Sequence, residues 1–189
     1  MAQTAKNSSK SNSKSRTTRK SASSSKEAMF STAVEFDADT RSELIAALQQ
    51  HLADNHDLYD QTKVAHWNVK GERFWALHQL FDELAEMVHP FTDTLAERIT
   101  LLGGYAHGTV RQTAEATGLE EFPETPQDGE TYLRELQQRF AEHAKNSRER
   151  AEAVAEQDPS SEDLFIEMSR VLDKALYFIE AHLQDPNRK

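Results

Sequence analysis

The sequence predicts an all-α protein: a four-helix bundle with one long connection, preceded by a disordered basic arm. Three observations lead there. From about residue 36 onward apolar residues recur every three or four positions, and no run alternates as a strand would. Six of the eleven glycines and prolines fall between residues 103 and 127, leaving long uninterrupted helical patterns on either side. Charge is also divided: residues 1 to 26 hold seven basic side chains and no acid, while the rest of the chain carries 15 basic against 32 acidic side chains.

The arm comes first. Over residues 1 to 26 its apolar content is Met1 and three alanines among many serines and threonines. Nothing in it can offset the entropy lost on folding, so residues 1–36 are expected to form a disordered Ser/Lys/Arg-rich arm ahead of a bundle over 37–189. It lacks the apolar stretch of a secretory signal and the amphipathic face of an organellar presequence. Lys6, Lys10, Lys14, Arg16, Arg19, Lys20 and Lys26 give it +7 against −17 for the remainder. A flexible, acid-free basic segment suits a polyanion, and nucleic acid is the expected one.

The first long helix is expected to start at a capping box, Thr40 with Glu43. It continues through Leu44, Leu48, Leu52, Asn55, Tyr59, Thr62 and His66 to about Val69. Gly71 separates it from a second, running through Phe74, Leu77, Phe81, Leu84, Val88, Leu95, Ile99 and Leu102 to the Gly103-Gly104 stop. Pro90 should bend this helix without ending it, because the apolar pattern resumes in phase. The long crossover after it holds a short helix near Arg111 to Ala116. A third long helix shows Leu133, Leu136, Phe140, Ala144, Ala151 and Val154. Asp158-Pro159 then stops it and caps a fourth, with Leu164, Phe165, Met168, Leu172, Ala175, Leu176, Ile179 and Leu183. Four such helices with a long crossover between the second and third describe a ferritin-like bundle.

Composition narrows the chemistry. The absence of cysteine excludes a disulfide framework and thiolate metal sites, and fits a reducing compartment. No apolar run reaches the roughly 18 to 20 residues of a membrane span. Candidate ligands gather instead at the end of the first helix and along the second. His66 lies in Ala65-His66-Trp67-Asn68; His78 and Asp82 are one turn apart, as are Asp93 and Glu97. Each pair alone is ordinary for a solvated helix face. Together they supply two imidazoles and three carboxylates, a mixed N/O set that suits iron or manganese and argues against a closed structural zinc site.

Helix geometry makes a demand on this set. Asp82 and Asp93 face within about 20° of one another but stand ~16 Å apart along the axis, too far for one metal. If two copies of the second helix pack antiparallel about a twofold axis, position n faces position 175 − n, so that His78 meets Glu97 and Asp82 meets Asp93. An isologous dimer would then hold two sites, each with His66, His78 and Asp82 from one subunit and Asp93 and Glu97 from the other. Glu86 and His89 obey the same sum, and are expected to form a contact between subunits; an auxiliary iron position is the sharper alternative.

With its His, twelve, His, four, Asp, eleven, Asp, four, Glu spacing and its His-Trp-Asn and Ala-Glu-Arg signatures, the segment from His66 to Gly104 resembles the Dps family of mini-ferritins. The resemblance covers the four long helices. It implies a two-iron ferroxidase centre shared between subunits, with His66, His78, Asp82, Asp93 and Glu97 as metal ligands and catalytic residues. It further implies Fe(II) oxidation preferentially by hydrogen peroxide, ferric storage in a hollow dodecamer, and a place in the cytoplasm on the nucleoid. By the same resemblance the arm is similar to tails that bind DNA without sequence specificity. Trp67, beside His66, is either an electron donor or a packing residue. Asp128, Glu130 and Glu135 are pore candidates whose local pattern matches the family poorly.

The sequence also admits rival readings. A site inside one bundle would need Glu-x-x-His on two helices, and Glu86-Met87-Val88-His89 is the sole match. A DNA-compacting nucleoid protein with a weak or manganese-preferring site is the other. His51, His56, His107, His143 and His182 are left without a role.

Overall fold

The computed structural model describes residues 29–184. Five helices follow in order: α1 (Ala38–Asn68), α2 (Phe74–Leu101), α3 (Val110–Ala116), α4 (Gly129–Val154) and α5 (Pro159–Leu183). The described residues contain no strand. Helix α1 packs on α2, α3 and α4, and α5 packs on α4 and α2. The bundle core has two parts. One joins Leu58, Phe81, Tyr132, Phe140 and Leu172 at the end nearer the α1–α2 turn; the other joins Leu48, Leu95, Phe165 and Met168. No helix is long and apolar enough to cross a membrane among the described residues.

Helix α1 begins earlier than the capping-box reading places it. Asp37, not Thr40, is the N-cap: its Oδ1 accepts from the Thr40 backbone N–H at 2.8 Å. A carboxylate at that position also faces the positive end of the helix dipole, and the Asp37 carboxyl is held below its ordinary range chiefly by the Thr40 backbone hydrogen bond.

The arm likewise ends before residue 36, because its last residues are apolar enough to dock. Val34 and Phe36 pack against the second part of the core, and the Phe30 N–H donates to the Gly103 carbonyl at 2.8 Å. Arg41 completes the clasp by donating to the carbonyls of Phe30 and Leu102. Gly103 has φ +88°, and a Cβ there would stand 2.5 Å from the Phe30 carbonyl oxygen. The seven basic residues assigned to DNA lie outside the described residues.

Helix α2 passes through Pro90 unbroken. Asn55 of α1 donates to the Val88 carbonyl and to the Thr92 hydroxyl, each at 3.0 Å, bracing α2 on both sides of the proline. Asp158 caps α5 with Pro159 at its first position, as the sequence predicts.

Candidate metal centre

The turn between α1 and α2 is tight. Gly71 adopts φ +100°, and the Phe74 N–H closes back on the Gly71 carbonyl at 3.0 Å. The last turn of α1 is thereby laid against the first turns of α2, and the rings of His66 and His78 stack 3.8 Å apart at 18°.

Their backbones lock them. His66 Nδ1 lies 2.7 Å from the His78 carbonyl oxygen, and His78 Nδ1 lies 2.9 Å from the His66 carbonyl oxygen. A carbonyl oxygen only accepts, so each Nδ1 carries a proton and donates it. In the neutral ring each Nε2 is then left with a lone pair. This is the outer hydrogen bond that orients metal-binding imidazoles, here made twice and reciprocally.

Asp82 stands one turn beyond His78, its Oδ1 3.9 Å from His66 Nδ1 and its side chain 44% exposed. Lys63 of α1 donates to the same oxygen. That hydrogen bond is the main reason the Asp82 carboxyl lies below its usual range, with the charge of Lys63 adding to it. The carboxylate is therefore ionised and positioned before any metal arrives, and Lys63 must yield for a cation to take its place. Sequence reasoning missed Lys63. Its signal was available: three residues before His66, it shares that histidine's face of α1.

Asp93 and Glu97 lie exposed on α2, and their side chains meet no partner of their own chain among the described residues. The next residue, Arg98, turns the other way and donates to Ser161 and Asp158 at the start of α5. This anchor fixes the rotation of α2 that leaves Asp93 and Glu97 outward. One chain thus gathers His66, His78 and Asp82 and leaves the other two acids apart from them.

Around the histidines the surface is aromatic. Trp67 is 61% exposed and Trp75 69% exposed, while Phe74 stacks on His78 at 5.1 Å. Exposed apolar side chains gathered in one place are a common feature of surfaces that bind partners. Glu86 and His89 are also exposed, the His89 ring lying 4.7 Å from that of Tyr59. The three pore candidates have local roles. Asp128 caps α4, and Glu130 and Glu135 pair with Arg134 and Arg139 one turn on.

Comparison with known proteins agrees with this architecture. The family model described as a ferritin-like domain matches residues 45–189. The DNA protection during starvation protein of Agrobacterium fabrum is 37% identical over 149 residues, covering 78% of this chain and 92% of that protein. Among solved structures, DpsC from Streptomyces coelicolor superposes with a TM-score of 0.80 at 29% identity, covering 85% of this chain and 95% of its own. A tetragonal form of Mycobacterium smegmatis Dps gives 0.81 at 26% identity, covering 86% and 98%. Similarity that runs through all the long helices, and nearly the full length of these relatives, leads to one conclusion: the chain belongs to the Dps family of ferritin-like proteins.

Proposed function

We propose that this protein oxidises Fe(II), preferentially with hydrogen peroxide, at two-iron centres shared between subunits. It stores the ferric product inside a hollow dodecamer and binds DNA without sequence specificity through its arm. The observation that carries the reading is the reciprocal pair of Nδ1 hydrogen bonds between His66 and His78. They leave both Nε2 lone pairs bare beside an ionised carboxylate.

Iron is the substrate in this scheme. Fe(II) approaches through the exposed side of Asp82, displaces the Lys63 ammonium from Oδ1, and takes the two imidazole nitrogens. Asp93 and Glu97 of a second subunit complete the ligand set. Carboxylates bind Fe(III) more strongly than Fe(II), which favours electron loss. Two Fe(II) ions each give one electron to hydrogen peroxide, its O–O bond breaks, and two protons complete two waters. No hydroxyl radical is released. Trp67, exposed next to His66, is the proposed donor of an electron to a stray oxidant.

The arm's seven positive charges, repeated on twelve subunits, supply avidity for phosphate that the −17 body cannot. Relatives named for DNA protection support this part of the reading, and a location on the nucleoid in the cytoplasm is proposed with it.

Stopped-flow oxidation of Fe(II) with peroxide and with oxygen, alongside the mass of the assembly, tests the proposal. Expected are two Fe(II) consumed per peroxide, a faster phase with peroxide than with oxygen, and the mass of twelve 21.5 kDa chains. Oxidation no faster than in buffer would refute it, leaving a DNA-compacting protein.

A further inference from the structure

A second set of ligand-type side chains lies inside the bundle of a single chain. His51 and Asp54 are three residues apart on α1, and His143 faces them from α4; all three are essentially sealed from solvent. His51 is fifteen residues before His66, about 22 Å along α1. None of the three belongs to the centre described above.

The rings of His51 and His143 stack 4.2 Å apart at 21°, with the Phe165 ring edge-on to His51. Their hydrogen bonding is incomplete in an informative way. The Ser147 hydroxyl donates to the His143 carbonyl, so toward His51 Nε2, 2.9 Å away, its oxygen acts as acceptor. His51 Nε2 therefore carries the proton, and Nδ1 is a bare lone pair with no partner. In His143, completely buried, neither ring nitrogen has a partner. Native interiors seldom leave such groups unsatisfied, and each exception calls for an explanation. One donor atom from each of His51, Asp54 and His143 lies within 4.8 Å of the others.

We propose that His51, Asp54 and His143 form an intrasubunit site for a divalent transition-metal ion, bound through His51 Nδ1, a ring nitrogen of His143 and a carboxylate oxygen of Asp54. Two imidazoles and one carboxylate select a borderline cation such as Zn2+, Co2+ or Fe2+ over Ca2+ or Mg2+, which prefer all-oxygen shells. The surrounding shell is in place. Ser147 sets the His51 tautomer, and Gln50 and the Gly118 N–H hold Asp54 Oδ1 at 2.9 and 2.8 Å. Both imidazoles are kept neutral, as ligation requires. Burial first, and then the Arg150 charge, hold His143 down to about 3; burial, and then the neighbouring His143 and Arg150, hold His51 well below its ordinary value. Arg150, 3.5 Å from Asp54 Oδ2, is the counter-charge of the metal-free carboxylate, and the cation takes over that role. Enclosure on all sides suits a resident ion that ties α1 to α4, not one passing to a mineral.

The site shares no residue with the ferroxidase reading and stands or falls separately. Zinc is the probe, added to the assembled full-length protein. Anomalous diffraction from zinc-loaded crystals should show a peak within about 2.1 Å of ring nitrogens of both His51 and His143, in addition to any at His66 and His78. His143→Leu should remove that peak and lower the bound zinc by one ion per chain, leaving zinc at His66 unchanged. A water alone between the two rings, in a crystal whose His66 site holds zinc, would overturn the proposal even if the variant fails to assemble. An unchanged zinc count in an assembled His143→Leu protein would do the same.

Discussion

A shared centre can be tested by giving two inactive subunits a chance to repair each other. Asp82 and Glu97 are fifteen residues apart on the continuous helix α2, hence ~22 Å along its axis, whereas a metal spans only ~4 Å between two ligand atoms. One chain therefore cannot bring both to one ion. Asp82→Ala and Glu97→Ala should each abolish fast oxidation while leaving the fold intact. Glu97 is exposed, and the Lys63–Asp82 pair is open enough to solvent that its loss costs about 1 kcal/mol or less. Dissociated, mixed in equal amounts and reassembled at random, the variants give mixed dimers about half the time. Each mixed dimer has one centre with every ligand and one lacking both Asp82 and Glu97. About a quarter of the wild-type fast phase should return, read as the stopped-flow amplitude of Fe(II) oxidation by peroxide. Native mass spectrometry verifies the mixing. No recovery in assemblies shown to contain mixed dimers would refute the shared centre.

Further expectations follow from other contacts. Lys63→Met removes the cation that competes for Asp82, so Co(II) should bind up to about fivefold more tightly, the equivalent of about 1 kcal/mol; unchanged or weaker binding would deny the competition. Deleting residues 1 to 26 should abolish gel retardation of DNA at low salt, and the intact protein should lose DNA steeply as salt rises. Alanine at Glu86 or His89 should weaken the dimer without changing oxidation per centre, whereas a preserved assembly that has lost its fast phase would assign the pair to iron. Burial raises the Asp158 carboxyl, but hydrogen bonds from Ser161 and Arg98 outweigh it and leave it below its ordinary value. Its contribution to stability is thus complete above the unfolded pKa of about 3.9 and is lost as pH falls through the lower folded value. Asp158→Asn should cost on the order of 3 kcal/mol at neutral pH and flatten the acid limb of a denaturation profile.

Much of this molecule follows from neighbours in sequence. Helix α2 is legible from its apolar spacing, and its persistence through Pro90 from the phase of that spacing on either side. Asp158-Pro159 marks the α4–α5 junction because capping and the fixed proline φ are local properties. The joining of His78 to Asp82, and the separation of both from Asp93 and Glu97, need only the 3.6-residue repeat and the helical rise. Where two local signals compete, sequence is a poorer guide. Asp37 and Thr40 are both good N-caps, and Asp37 holds the position with Phe36 just before it packed into the core.

What the tertiary structure decided is which side chains meet across helices. Lys63 reaches Asp82, the His66 and His78 rings clamp each other's backbones, and His51 stacks on His143 from 92 residues away. A helical repeat states which way a residue faces on its own axis. It does not state the rotation of the neighbouring helix, which is set by how all the buried side chains pack at once. The ligand spacing is therefore written in the chain, whereas the tautomers that bare the imidazole lone pairs, and the burial that leaves His143 without a partner, exist only once the helices have packed.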